Sequence, residues 1–183
     1  MVIIKSFGDV YTGFETLFRW FHVLGGITWI GLLYFFNFVQ VPAYAELSPA
    51  ARGEAFDKLT WRALWWFRWA AALTFLTGIF ILGIQKNLGP NFADYFAAPQ
   101  GTSIAWGAIL GTIMFLNVWG IIWRNQKKII GWTAANAESG AAIPPESAVL
   151  GRHAFLASRT NAWLSLPMLL LMILAGHGKV MFH

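Results

Sequence analysis

Of the four histidines, at positions 22, 153, 177 and 183, two sit where an imidazole has work to do. His22 lies one turn into a long apolar run, Arg19–Pro42 (RWFHVLGGITWIGLLYFFNFVQVP), and His177 closes another. An imidazole offers a nitrogen lone pair near neutral pH and is the commonest side-chain metal ligand. An ionisable side chain inside a membrane-length apolar run is a functional candidate by default. With four such runs in the chain, the start of the first and the end of the fourth reach the same face and a similar depth. Two imidazoles facing each other across a slot are what a b-type haem requires, with small residues where the porphyrin meets backbone and aromatic walls around it. Gly25, Gly26, Thr28 and Gly31 leave little side chain on one flank of the first run, and Trp20, Trp29, Trp106 and Gly176 are candidate walls and contacts. The haem ligands would be His22 and His177, with Gly25, Gly26 and Trp29 beside them. The plainer alternative, two interfacial histidines bonded to headgroups or backbone, stays open.

A second group of residues is polar without being basic or acidic throughout. Asn37 and Gln40 lie in the first run, Arg68 in the second, Asn117 in the third, and Arg159, Asn161 and Ser165 in the fourth. Most of them fall toward the opposite end of the helices from His22. Such amides and hydroxyls commonly join bilayer helices, at about 1 kcal/mol or less each. The other reading is a pocket for a small planar or anionic ligand, with Arg68 or Arg159 as its charged partner. Soluble-type hydrolase and nucleotide chemistry has no template here: there is no HExxH, no GxxxxGK[ST], no dinucleotide fingerprint and no pair of intramembrane carboxylates. The absence of cysteine excludes disulfides, thiolate metal sites and the CxxCH attachment of a c-type haem.

The elements that position these residues follow from composition. The chain has 183 residues, 57% hydrophobic and only 11% charged, with 11 Trp and 16 Phe. A soluble domain carries about 25% charge, so the expectation is one all-α membrane domain, a four-transmembrane-helix bundle over residues 1–183. About 20 apolar residues cross a bilayer as helix, which places spans at about 19–42, 61–85, 103–123 and 154–177. Pro42 is expected to end the first and Pro167 to kink the fourth, and Gly107 and Gly111 give the third a GxxxG spacing for close helix approach. Asp9 or Thr12 is expected to cap the first helix and Ser48-Pro49 to start a short one. Residues 43–60, 86–102 and 124–150 read as connecting segments, with a break at Gly140, Pro144 and Pro145. The first run is too long for a cleavable signal.

The net charge of +5 does not point to nucleic acid, because the basic residues sit in short segments between apolar spans. Lys5, Arg19, Lys86 and Lys179 lie on the side of the termini; Arg52, Lys58, Arg62, Arg68, Arg124, Lys127, Lys128, Arg152 and Arg159 lie on the other. That bias predicts cytoplasmic 43–60 and 124–150 segments, periplasmic termini and a bacterial inner-membrane location.

Two stretches, Phe21–Pro42 (FHVLGGITWIGLLYFFNFVQVP) and Ser158–Met168 (SRTNAWLSLPM), the latter followed by His177, resemble the membrane domain of the bacterial cytochrome-c-linked urate oxidase family. His22, Trp29, Asn37, Gln40, Arg159, Asn161 and His177 are motif positions in that resemblance. Longer members of the family have about twice as many spans and a cytochrome domain, so this chain resembles a short form. The resemblance implies a membrane redox setting. Three functions fit: a haem b electron-transfer protein with a periplasmic cytochrome c or another membrane subunit as redox partner; a haem-free accessory subunit in a homo- or hetero-oligomer; and a urate-oxidase-like oxidoreductase that passes electrons to another subunit.

Overall fold

Four helical rods carry the chain back and forth. They are Thr12–Glu46, Pro49–Ile84, Pro99–Ser139 and Glu146–Gly176, each long and apolar enough to cross a membrane. The computed structural model describes residues 7–88 and 92–177, with only the backbone described at 7–9, 11, 85–88, 92–94 and 177. Lys5, Lys179 and His183 lie outside the described residues, as does the side chain of His177. All elements among the described residues are helical.

The first rod is α1 (Phe7–Tyr34), a π-helical turn π1 (Phe35–Gln40) and α2 (Val41–Glu46). The second is α3 (Pro49–Ala55), π2 (Phe56–Thr60) and α4 (Trp61–Leu88). After α5 (Phe92–Ala97), the third is α6 (Pro99–Leu116), π3 (Asn117–Ile122) and α7 (Trp123–Ser139), and α8 (Glu146–His177) is the fourth.

Helix extends further than the apolar runs at almost every end. Helix is already formed at Phe7, so Asp9 and Thr12 are interior residues and not caps. Pro42 does not end the first rod: it sits at the start of α2, directly after π1. Proline lacks an N–H and its ring crowds the carbonyl four residues back, and the wider π turn before it takes up that misfit, with the Val41 N–H donating to the Phe36 carbonyl five residues earlier. The 86–102 and 43–60 segments are likewise mostly helix. The start at Ser48-Pro49 is as expected, the Ser48 hydroxyl accepting from the Ala51 N–H at 3.3 Å. In the 124–150 segment the helix runs on to Ser139 and stops at Gly140, whose φ of 70° is the left-handed conformation glycine adopts freely.

The rods pair as two antiparallel hairpins, first with second and third with fourth, joined by lighter seams. Each seam has its own chemistry. Between first and second, a Cβ added at Gly25 would lie 2.7 Å from the Thr74 hydroxyl and 3.2 Å from the Ala70 carbonyl, so only glycine permits this approach. Between third and fourth, Gly107 faces Met172 and Leu171, whereas Gly111 meets nothing, so half of the GxxxG spacing is used. Between second and third the contacts are aromatic, with Phe75 stacked on Phe115 at 4.3 Å. Between first and fourth they are polar, Tyr34 to Ser165 and Asn37 to Ser158, each at 2.8 Å. Trp29, Leu33, Phe67, Met114 and Val118, all at most 2% exposed, fill the centre.

Candidate functional site

His22 turns toward α4. Its Nδ1 lies 2.8 Å from the main-chain carbonyl of Thr74, and that carbonyl can only accept, so Nδ1 carries the proton. The Thr77 hydroxyl stands 3.5 Å from the same nitrogen and donates to the Leu73 carbonyl at 2.6 Å. Both of the ring's hydrogen-bond contacts therefore fall on Nδ1, and Nε2 keeps its lone pair. A second-helix glycine makes the niche: a Cβ at Gly78 would lie 3.1 Å from the imidazole Cε1. Small residues at 70, 74, 77 and 78 form one face of α4, and that face receives both the His22 ring and Gly25.

The glycine flank expected to border a porphyrin is thus occupied in part by the second helix. Gly25 is closed by Thr74 and Ala70, a Cβ at Gly26 would lie 4.0 Å from the Thr74 methyl, and Gly31 is open. Trp29 is 2% exposed in the core with its indole N–H unpaired, while Trp20 and Trp106 point outward at 55% and 58% exposure. His153 is exposed. No group of three or more metal-ligating side chains occurs among the described residues.

The polar residues at the other end separate into three sets. Asn117 donates to Asn161 Oδ1 at 2.9 Å, and Asn161 donates to the Met114 carbonyl at 2.9 Å, a clamp between third and fourth rods. Arg68 is caged by indoles, its guanidinium 3.7 Å from the Trp123 ring centroid, 5.4 Å from Trp69 and 5.8 Å from Trp119. Arg159 lies over Phe155 at 5.3 Å, and among the described residues no carboxylate is within ion-pair distance of it.

The third set lines a cavity of about 90 Å³ between all four rods. Asn37 and Gln40 from π1, Thr60 from π2, Gln126 from α7 and Ser158 from α8 supply its polar wall, with Phe36, Leu64, Ile122 and Phe155 opposite. Asn37 is 3% exposed and its orientation is set by its own amide, which donates to the Leu33 carbonyl and the Ser158 hydroxyl, each at 2.8 Å. Its Oδ1 therefore has no partner, and Gln40 Oε1 and Gln126 Oε1 are also buried without one. Three acceptors around one small cavity are thus left without a protein partner, that of Asn37 held in place by its own amide. All three π turns contribute to it, through Asn37, Thr60 and Ile122; π turns are rare and frequent at functional sites. Of the six candidate pocket residues, Asn37 and Gln40 line this cavity; Asn117, Asn161 and Arg68 serve helix seams, and Arg159 stands beside it, next to Ser158. Gln126, Thr60 and Ser158 were not legible as site residues, although Gln126 falls one turn after Ile122 on the same helix face.

The rods and their buried polar seams define a multi-pass helical membrane protein. The family described as urate oxidase N-terminal matches residues 91–183, half of the chain, and the protein belongs to that family. The match contains the SRTNAWLSLPM motif of α8. Comparison with curated proteins and with solved structures returned no match.

Proposed function

We propose that this chain is a membrane redox module in which His22 and His177 would hold a b-type haem that carries single electrons. The observation that carries the reading is the Nδ1–H hydrogen bond of His22 to the Thr74 carbonyl. A main-chain carbonyl on Nδ1 fixes the tautomer, aims the ring and raises the basicity of Nε2, the usual arrangement behind a ligating histidine. Helix register supports the partner. From the Tyr34–Ser165 pair, twelve residues back along the first rod lead to His22 and twelve forward along the fourth lead to His177. At 1.5 Å per residue both lie about 18 Å from that pair.

On the His22 side the hydrogen-bonded imidazole supports this reading, while α4 closes part of the glycine flank, at Gly25. Haem held there by His22 and His177 would supply one-electron redox chemistry, suited to electron transfer. The protein's own residues do the rest: Gly78 leaves room for the ring, Thr74 orients it, and Thr77 bonds to the main chain beside it. The basic bias of the 43–60 and 124–150 segments supports an inner-membrane topology with the haem end periplasmic, within reach of a periplasmic cytochrome c or a second membrane subunit.

The reduced-minus-oxidised spectrum of protein purified in mild detergent from haem-replete cells tests this. A b-type Soret and α band near one haem per chain is expected, lost in His22→Ala and in His177→Ala. A featureless spectrum from folded protein refutes it and leaves the accessory-subunit reading. Urate added to the same preparation checks the chemistry in the family's name: reduction of added cytochrome c would make the chain part of a urate-oxidising system.

A further inference from the structure

The polar cavity lies about 22 Å along the first rod from His22, counting 15 residues from His22 to Asn37 at 1.5 Å each, so it is a separate site. We propose that it binds the glycerol headgroup of a phosphatidylglycerol, the two hydroxyls donating into the cavity and the phosphate lying against Arg159.

Four observations select this ligand. The cavity offers acceptors, Asn37 Oδ1, Gln40 Oε1 and Gln126 Oε1, and no charged side chain lines it. An ammonium group there would be a cation removed from water with no counter-anion, which costs several kcal/mol; an uncharged diol carries the same kind of donor without that penalty. The space is small: an apolar cavity that holds benzene measures about 150 Å³, against about 90 Å³ here, which favours a compact polyol over a ring. Charge outside the cavity is positive. Arg159 follows Ser158 of the lining, rests over Phe155 of the lining and has no carboxylate partner among the described residues. Finally, Val41 of the lining is 42% exposed, so the cavity opens at the surface of the first rod, where a lipid headgroup can reach it.

The test is native mass spectrometry of the whole chain after transfer into nanodiscs of phosphatidylcholine doped equally with phosphatidylglycerol and phosphatidylethanolamine. One phosphatidylglycerol retained per chain is expected. Gln40→Leu and Gln126→Leu remove acceptors that have no partner in the protein, so both variants should fold with unchanged melting and retain the lipid about fivefold less well, the worth of one hydrogen bond. Arg159→Gln should abolish the preference over phosphatidylcholine. Equal retention of all three lipids, preference for phosphatidylethanolamine, or wild-type retention by both glutamine variants overturns the proposal. Displacement of the lipid by millimolar glycerol 1-phosphate also overturns it, by assigning the site to a soluble polyol phosphate.

Discussion

Gly25 decides how closely the first two rods approach. A methyl group there would press on the Thr74 hydroxyl and the Ala70 carbonyl, and one of these is rigid backbone. Gly25→Ala is expected to destabilise the protein by about 1–3 kcal/mol, as overpacking does, whereas Gly31→Ala, which meets nothing within 4 Å, should stay within about 0.5 kcal/mol; thermal unfolding in detergent followed by tryptophan fluorescence compares them. Arg68 supports a second contrast. Its planar guanidinium stacks among Trp69, Trp119 and Trp123, and a lysine ammonium keeps the charge but not the plane. Arg68→Lys should lower stability by about 0.5–2 kcal/mol and red-shift tryptophan emission; an unchanged spectrum and melting curve would argue that the cage is incidental. His22 and the glycines were legible in the sequence as unusual residues, but their partner was not. Thr74 meets them because of how α4 is rotated about its axis, and that rotation depends on Ala70, Thr77 and Gly78 packing together.

At the scale of elements, four apolar runs were legible from length and charge alone, and the short helix at Ser48-Pro49 from its capping chemistry. The ends were not. Polar helix such as Trp123–Ser139 is amphipathic but lies outside the apolar runs that mark the spans, and it is held by its neighbour α8, the Lys128–Glu146 contact included. The π turns were equally hidden, since they differ from α-helix only in which carbonyl an N–H chooses. Where π turns disturb the ladder, side-chain amides take up carbonyls: Asn37 bonds the Leu33 carbonyl and Asn161 the Met114 carbonyl. The Asn117–Asn161 clamp should therefore be cooperative with π3. A double-mutant cycle with alanine at both positions is expected to give a coupling energy of about 0.6–1.7 kcal/mol, the range for polar pairs between bilayer helices; a value of zero would make the clamp a bystander.

At the scale of the whole molecule, the two hairpins are tight within and lighter between; the His22 niche lies inside the first hairpin, against α4, and the polar cavity lies between all four rods. The chain has no cysteine, so single cysteines report its orientation without background. Ala50→Cys and Ala141→Cys, exposed at the basic end, should react with a membrane-impermeant maleimide only after spheroplasts are lysed, and the exposed Ala97→Cys should react before lysis. The reverse pattern would place the His22 end in the cytoplasm and remove a periplasmic acceptor as its partner. The resemblance read from SRTNAWLSLPM holds in the family match over 91–183. The proposed haem depends on the chemistry of two side chains, which hydropathy does not encode.

The π turns make length itself a specification. Each π turn accommodates one residue more than the α ladder would, so a one-codon deletion within Phe35–Gln40 should collapse the wide turn to α-helix and leave the rest of the rod in phase, at the cost of the widened turn that admits Pro42. The same deletion in the α-helix beside it would rotate everything beyond by about 100° and draw it in by about 1.5 Å. In this protein a frame-preserving deletion is expected to be less damaging at a π turn than elsewhere in the same span.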